Sequence, residues 1–183
     1  MKIVKYPHPA LRQKAEPVTA ISKELHLQVG GMLELMYANE GLGLAAPQVA
    51  ATNRVLVMNF TGEPEEKDQE CVAINPVLLE MKGGFDDREG CLSFPGLFSK
   101  VRRAKTVKVQ AYNLKGELYE MTATDLAARL WQHEIDHLNG VLFIDKMGML
   151  GRLNSRKAIQ EFIDDFNHDK KTGELPPDLG PML

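Results

Sequence analysis

Residues 132–140, which read QHEIDHLNG, constrain the fold of this chain more than any other stretch. On a helix, His133 and His137 lie four residues apart, so both imidazoles project from one face. At about 100° per residue, Leu126 and Leu130 share that face. The opposite face is also apolar, with Ala127, Ala128, Trp131, Ile135 and Leu138. A helix that is apolar on two sides is buried, so we predict a central helix whose histidines face an internal pocket.

The spacing of His133, Glu134 and His137 is typical of a metal site. Two neutral imidazoles can bind one ion, and the neighbouring carboxylate can reach a water molecule there and carry its proton. The motif is short, however, and two core histidines that hydrogen-bond to each other have the same spacing. The third ligand therefore decides the chemistry, because a catalytic ion takes three protein ligands and keeps one position open.

Composition bounds the class of protein. The chain has 183 residues, of which 44% are hydrophobic and 26% charged, values that suit one soluble globular domain. Its net charge of −3 gives no electrostatic reason to expect binding to DNA or RNA. The first residues lack the apolar segment of a signal peptide, and no apolar run is long enough to span a membrane. With only two cysteines, Cys71 and Cys91, a disulfide framework is not expected, which favours a cytoplasmic protein with reduced thiols.

The whole pattern predicts an α+β fold, with mixed or antiparallel β-sheets packed around the buried central helix and a C-terminal helix. Helices are predicted at about residues 22–40, 122–140 and 149–168, the second beginning with a capping box formed by Thr122 and Asp125. Strands are predicted at residues 54–59, 72–80, 107–112, 118–123 and 141–144, with Pro76 indicating an edge or a bulge. Residues 114–117 are typical of a hairpin turn. We expect one catalytic domain over residues 1–168 and a flexible tail over residues 169–183.

Three classes of metal site compete for the third ligand. The metzincin pattern would need a histidine at position 143, which is Phe143, so that class is excluded. A thermolysin-like peptidase needs a glutamate on a later helix, for which Glu161 is a candidate. Cys91, in the stretch EGCLSFPG, is predicted to lie in irregular chain where a thiolate can point into a site. Cys71 is interpreted as a small buried residue, although a closed, purely structural site would recruit it as a fourth ligand.

Three separated stretches together resemble the peptide deformylases. They are GLGLAAPQ at residues 41–48, EGCLS at residues 89–93 and QHEIDHLNG at residues 132–140, and their order and spacing also match that family. The resemblance extends from the first residues to about residue 168, and it is to the bacterial type without large insertions. Pro47 stands where many members carry threonine or another small residue.

The resemblance implies a metal centre and a reaction. Cys91, His133 and His137 would bind Fe(II), with nickel, cobalt or zinc able to substitute, whereas thiolate and imidazole ligands alone would favour zinc. The substrate would be the N-formyl group on the initiator methionine of newly made proteins, which is released as formate. Glu134 would shuttle the proton. The oxyanion would be stabilised by the backbone N–H of Leu92 and the side-chain amide of Gln48.

Substrate binding is implied in the same way. The formylated peptide is expected to lie extended beside Leu42, Gly43 and Leu44 and to pair main chain to main chain. Leu42 is also expected to line an apolar pocket for the methionine side chain, together with Leu126 and Leu130.

Supporting roles are expected for charged residues near the site. Arg103 would pair with Glu89 and steady the cysteine segment, unless it forms a surface salt bridge or is simply solvated. Arg129 and Asp136 would brace one another. The basic face of the last helix, with Arg152, Arg156 and Lys157, is a candidate contact with the ribosome, against the default of a solvated charged face.

Overall fold

The computed structural model describes residues 1–173, and its architecture is α+β, as predicted. Its helices are α1 (Lys23–Ala38), α2 (Asp125–Leu138) and α3 (Met149–Thr172). Its strands are β1 (Gly43–Ala45), β2 (Val55–Asn59), β3 (Glu70–Lys82), β4 (Phe85–Cys91), β5 (Phe94–Arg103), β6 (Thr106–Tyr112) and β7 (Leu118–Thr124). Five strands form an antiparallel sheet in the order β1-β2-β3-β6-β7, while β4 and β5 form a separate antiparallel hairpin. No helix in residues 1–173 combines the length and the apolar character that a membrane span requires.

Helix α2 lies in the interior, as its two apolar faces predicted. Trp131, Ile135 and Leu138 pack into one core cluster with apolar side chains of β2, β3, β6 and β7. The helix begins at Asp125, and Thr124 caps it without a side-chain hydrogen bond, so the predicted capping box is wrong. Because the sheet covers the apolar side of α2, its histidine side faces away from the sheet.

Two further clusters complete the core. Helix α1 buries Leu25, Val29, Met32 and Met36 in the second cluster, which confirms its apolar stripe. The third cluster joins the β4–β5 hairpin to α3 through aromatic side chains, and Phe94 contacts both Phe143 and Phe162.

Four of the predicted strands are confirmed as β2, β3, β6 and β7, and the turn between β6 and β7 is a hairpin. Pro76 lies in β3, which is a central strand, and the register of β3 against β6 shifts between Ile74 and Val77. A bulge therefore accommodates the proline, and β2 pairs with β3 only as far as Ile74, so within residues 1–173 β3 has no partner strand on that side at Pro76.

The strand predicted at residues 141–144 is wrong. Residues Phe143–Lys146 form a 3₁₀ helix, and the apolar side chains of Leu142 and Phe143 are buried in the third cluster. The Asp145 carboxylate accepts a hydrogen bond from the Leu142 amide, which holds the turn. Residues 141–144 thus have the apolar composition of a buried strand but do not pair with another strand.

Three strands were missed, namely β1, β4 and β5. β1 has only three residues, and β4 is mostly polar, with three of its seven residues exposed. Helix α3 continues to Thr172, so the first residues of the predicted tail are helical. The tail residues 174–183 lie outside the described part of the chain, and the domain limit at residue 168 stays a prediction.

Gly140 provides a test of the packing at the end of α2. Its φ is +70°, and a Cβ there would lie 2.5 Å from the carbonyl oxygen of Arg12. We expect Gly140→Ala to lower the free energy of unfolding by about 1–3 kcal/mol, because an L side chain is strained at this φ and clashes with fixed backbone. Urea unfolding measures the change.

The matched control is Gly30→Ala, in the interior of α1, where an added Cβ meets nothing within 4 Å. This variant is expected to be more stable by about 0.5–1 kcal/mol, because alanine is the better helix former. Equal effects of the two substitutions would contradict the contact with Arg12.

Candidate active site

Cys91, His133 and His137 meet in one cluster. The Nε2 atoms of the two histidines are 3.2 Å apart, and the Cys91 Sγ atom lies 3.2 Å from the His137 Nε2 atom. The three ligand atoms all lie within 4.8 Å of one another, and no other group of three such side chains occurs in residues 1–173. Both histidines are buried.

These separations fit a single metal ion. Ligand atoms about 2.0–2.3 Å from one ion at tetrahedral angles are about 3.3–3.8 Å apart, close to the two distances of 3.2 Å that involve His137. His133 has its other ring nitrogen, Nδ1, 2.7 Å from a carboxylate oxygen of Glu89. That arrangement fixes the tautomer that leaves Nε2 free to ligate. The donor set of one thiolate and two imidazoles suits a borderline-soft divalent ion.

Two elements bring the three donors together. The histidines lie one turn apart on α2, whereas Cys91 is the last residue of β4, at a shift in the β4–β5 register between Gly90 and Cys91. The expectation that Cys91 lies in irregular chain is therefore wrong. The end of a strand at a tight turn serves the same purpose, because the register shift redirects the side chain.

Glu89 is the centre of a buried charged network. It accepts hydrogen bonds from Arg103 at 2.7 and 3.1 Å and from Arg129 at 2.8 Å, in addition to its contact with His133. Burial raises the pKa of Glu89, but the hydrogen bonds from His133 and Arg103 outweigh it and hold that pKa well below its ordinary value. Arg103 also donates to Asp136.

This network confirms one predicted contact and corrects another. The pair of Arg103 and Glu89 is present, and both side chains are only 4% exposed, so it is not a surface salt bridge. Arg129 does not brace Asp136, because its guanidinium is bound to Glu89 and to the carbonyl oxygen of Val101.

Glu134 lies beside the cluster without belonging to it. A Cβ at Gly43 would lie 2.5 Å from the Glu134 Oε1 atom, so the carboxylate occupies space that only glycine leaves open. The Oε2 atom is buried and has no hydrogen-bond partner among the described residues. Burial raises the pKa of Glu134 to about 7. The carboxyl group is thus held next to the cluster in a state that can both accept and release a proton.

Gln48 and Leu92 are neighbours of Cys91, the first through its side chain and the second along the chain. The Gln48 side chain is buried, accepts a hydrogen bond from the Ala45 amide, and directs its Nε2 atom at Cys91 Sγ and Ser93 Oγ, each 3.4 Å away. Leu92 lines the same cavity. An amide donor beside the thiolate is suited to stabilising negative charge on a substrate oxygen.

The cluster opens into a cavity of about 540 Å³. Leu42, Gly43, Leu126 and Leu130 line it, with Leu126 at the rim and 55% exposed. Leu44 does not line the cavity, since its side chain is fully buried in the core with α1. The cavity wall therefore includes four of the five residues predicted to contact substrate.

Other candidates lie elsewhere. Glu161 is on the exposed face of α3, where it approaches Lys157 at 3.7 Å, so it is not the third ligand. The Cys71 thiol lies 3.3 Å from the Tyr119 hydroxyl and outside the cluster. This arrangement removes both the thermolysin-like set and a fourth ligand from Cys71.

Two residues of the site were not assigned these roles from the sequence. Ser93 is fully buried next to the Gln48 amide, and Arg129 binds Glu89. The spacing of Arg129, one helical turn before His133, could have predicted its role, because residues four apart on a helix point toward the same region.

Comparison with known proteins agrees with this geometry. The family model described as polypeptide deformylase matches residues 1–152. A peptide deformylase from Acidobacterium capsulatum is 47% identical over 150 residues, covering 82% of this chain and 88% of that relative. One from Helicobacter pylori is 41% identical over 170 residues, covering 92% and 98% of the two chains. The crystal structure of the Plasmodium falciparum peptide deformylase has a TM-score of 0.88 and 39% identity, covering 91% of this chain and 98% of that one. The Arabidopsis thaliana peptide deformylase 1B has a TM-score of 0.88 and 36% identity, covering 100% and 98%.

Proposed function

Because the chain belongs to the polypeptide deformylase family, we propose that Cys91, His133 and His137 are its metal ligands and that Glu134 is its proton shuttle. The protein is an enzyme that removes the N-formyl group from nascent peptides in a metal-dependent reaction. The observation that carries the assignment of residues is the cluster of one thiolate and two imidazoles at the base of an open cavity, with a carboxylate beside it.

The three proposed ligands would hold the ion, and the neighbouring carboxylate would transfer the proton. The ion, when bound, supplies an open coordination position that lowers the pKa of water and polarises the formyl group. Glu134 takes the proton from the water that attacks the formyl carbon, and it delivers that proton to the amine that leaves with the peptide. Its unpartnered Oε2 atom is available for both transfers.

Gln48 and Leu92 are assigned to the oxyanion that forms when the formyl carbonyl is attacked. The Gln48 Nε2 atom is buried, and its Oε1 atom is held by the Ala45 amide, so the donor is fixed before the substrate binds. A preorganised donor of this kind is typically worth about 2.7–4 kcal/mol of barrier. The Leu92 backbone N–H would be the second donor, next to Cys91 along the chain.

The edge of the larger sheet supports an extended binding mode for the peptide. β1 is an edge strand, and the Asn59 amide donates to the Leu42 carbonyl oxygen at 2.9 Å. Since inter-strand pairs alternate in an antiparallel ladder, the peptide groups of Leu44 face β2 and those of Gly43 face away from it. Gly43 would therefore pair main chain to main chain with the substrate, whereas Leu42 would contact it through the side chain that lines the cavity. Leu44 anchors the strand in the core. Leu126 and Leu130 would contact the methionine side chain.

We assign Fe(II) as the working ion, with zinc, nickel or cobalt as substitutes. The ligand atoms suit each of these metals, and the choice of iron comes from the resemblance to the family. A thiolate on ferrous iron is sensitive to oxygen, because Cys91 would be oxidised.

One anaerobic preparation, assayed for metal content and for formate release from a formyl-methionyl peptide, tests the metal centre. We expect about one iron per chain, and loss of both metal and activity in Cys91→Ala. Cys71→Ala is the matched control and is expected to retain both, because Cys71 lies outside the cluster. Full activity with zinc alone, in a preparation without iron, would contradict the assignment of iron.

Two wider assignments complete the proposal. The basic residues of α3 would contact the ribosome, although the Arg152 side chain already binds the carbonyl oxygens of Met147 and Asp145. Unchanged co-sedimentation after charge reversal at Arg152, Arg156 and Lys157 would remove that contact. We also propose a cytoplasmic location, supported by two free cysteines and checked by cell fractionation.

A further inference from the structure

A second cavity, of about 870 Å³, adjoins the active-site cavity. The two cavities share Arg88 and Phe98 in their walls. The outward face of the β4–β5 hairpin forms one wall of the second cavity, and the first turn of α3 forms part of the other. We call this cavity the hairpin groove. These shared residues make its wall continuous with that of the active-site cavity.

The hairpin groove carries two cations that face each other without a counter-charge. Arg88 and Lys100 are directly opposite in the antiparallel register of β4 and β5. Like charges in that position destabilise a hairpin. Neither side chain forms an ion pair within residues 1–173, and the Arg88 guanidinium instead lies 4.7 Å from the centre of the Phe98 ring.

The adjacent cross-strand pair on the same face of the hairpin combines opposite charges instead of like charges. Asp86 is opposite Arg102, and their side chains form an ion pair at 3.1 Å. Asp86 is also the only acidic side chain among the described residues that line the groove, so Arg102 already neutralises it. Lys146, at the end of the groove, approaches Asp136 at 3.6 Å. The first turn of α3 has no acidic residue. The groove is therefore positive, and its uncompensated charge is concentrated at Arg88 and Lys100.

We propose that the hairpin groove binds the downstream part of the formylated nascent chain and favours acidic side chains there. The proposal rests on the deformylase function proposed above. Arg88 precedes Cys91 by three residues of β4, a distance of about 10 Å at about 3.3 Å per residue. An extended peptide covers that distance in about three residues, so the third to fifth residues, counting methionine as the first, lie opposite Arg88 and Lys100.

Three peptides test this preference. They are formyl-Met-Ala followed by three Asp, three Ser or three Lys residues, assayed for formate release at low ionic strength. We expect kcat/KM for the Asp peptide to exceed that for the Ser peptide by about 4–9-fold, from about two- to threefold for each of the two exposed charge pairs with Arg88 and Lys100. The Lys peptide is expected to be the poorest substrate. The preference should shrink as salt is added, because the charges are exposed to solvent.

The double variant Arg88→Gln/Lys100→Gln assigns the preference to the groove. The ratio of the Asp to the Ser peptide is expected to fall below about twofold. The control Lys170→Gln/Lys171→Gln, at the far end of α3, removes the same charge and is expected to keep the wild-type ratio. If the double variant does not fold, Lys100→Gln alone is expected to lower the ratio of kcat/KM for the Asp and Ser peptides to about the square root of the wild-type ratio.

Several outcomes would overturn the proposal. One is equal hydrolysis of all three peptides by the wild-type enzyme, and another is a wild-type ratio in the double variant. Loss of single-stranded RNA binding in that variant with an unchanged peptide ratio would make the groove a nucleic-acid surface. Absence of formate from all the peptides, including the Ser peptide, would instead contradict the deformylase function itself.

Discussion

Glu134→Gln is expected to lower kcat/KM for a formyl-methionyl peptide by about 10²–10⁴-fold while the metal content stays at the wild-type level. The amide keeps the shape of the side chain in the space beside Gly43 but cannot take a proton from water. The Glu134 carboxyl is also outside the ligand cluster, so its loss should leave the ion in place. Metal analysis and formate release on the same sample measure both effects.

Glu161→Gln is the matched control, since it makes the same chemical change on the exposed face of α3. It should keep both metal and activity, which also checks that no thermolysin-like ligand set operates. Loss of metal from Glu134→Gln would identify Glu134 as a ligand and would contradict its role as a proton shuttle.

Glu89→Gln is expected to weaken both folding and metal binding. The substitution leaves Arg103 and Arg129 buried without their shared carboxylate, and removing one partner of a buried ion pair costs about 3–5 kcal/mol of unfolding free energy. His133 also exchanges the charged carboxylate at its Nδ1 atom for a neutral amide, whose single oxygen is a weaker acceptor that the arginines also need, so metal affinity should fall about 10–100-fold. Urea unfolding measures the first effect, and competition with a chelator measures the second.

Asp86→Asn is the control on the same hairpin, because it also converts a carboxylate paired with an arginine to an amide. Asp86 and Arg102 have side chains that are 57% and 69% exposed, so we expect a change of about 1 kcal/mol or less and no change in metal affinity. If Glu89→Gln were as stable as Asp86→Asn, the buried network would not contribute as its geometry indicates.

The sequence predicted the elements whose side chains follow a simple period. α2 was identified because both of its apolar faces have helical spacing, and β2, β3, β6 and β7 are rich in β-branched and other apolar residues. β5 was missed although it alternates, because Ser99 and Arg103 are among its buried residues. The buried arginine of this strand, Arg103, is explained by its ion pair with Glu89 on the neighbouring strand.

In the candidate site too, local spacing predicted some residues, whereas the contacts of others depend on tertiary packing. His133, Glu134 and His137 could be assigned from spacing along one helix, while the choice of Cys91 also needed the resemblance between three distant motifs. The pair of Arg103 and Glu89 was predicted, but the hydrogen bonds of Glu89 with Arg129 and His133 were not, because these two partners come from a helix distant in the sequence. Local spacing indicated that Arg129 and Asp136 are neighbours, but tertiary packing gave each a different partner.

The three proposed ligands come from two parts of the protein that share no β-sheet. The β4–β5 hairpin supplies the cysteine, and the helix buried against the larger sheet supplies the histidines. A bound ion therefore acts as a cross-link that closes a long loop of chain, and its binding free energy is available to hold the hairpin in place. The same ion would then take part in the reaction and also hold the hairpin against the helix. A molecule that loses the ion by oxidation of Cys91 would lose local rigidity along with catalysis.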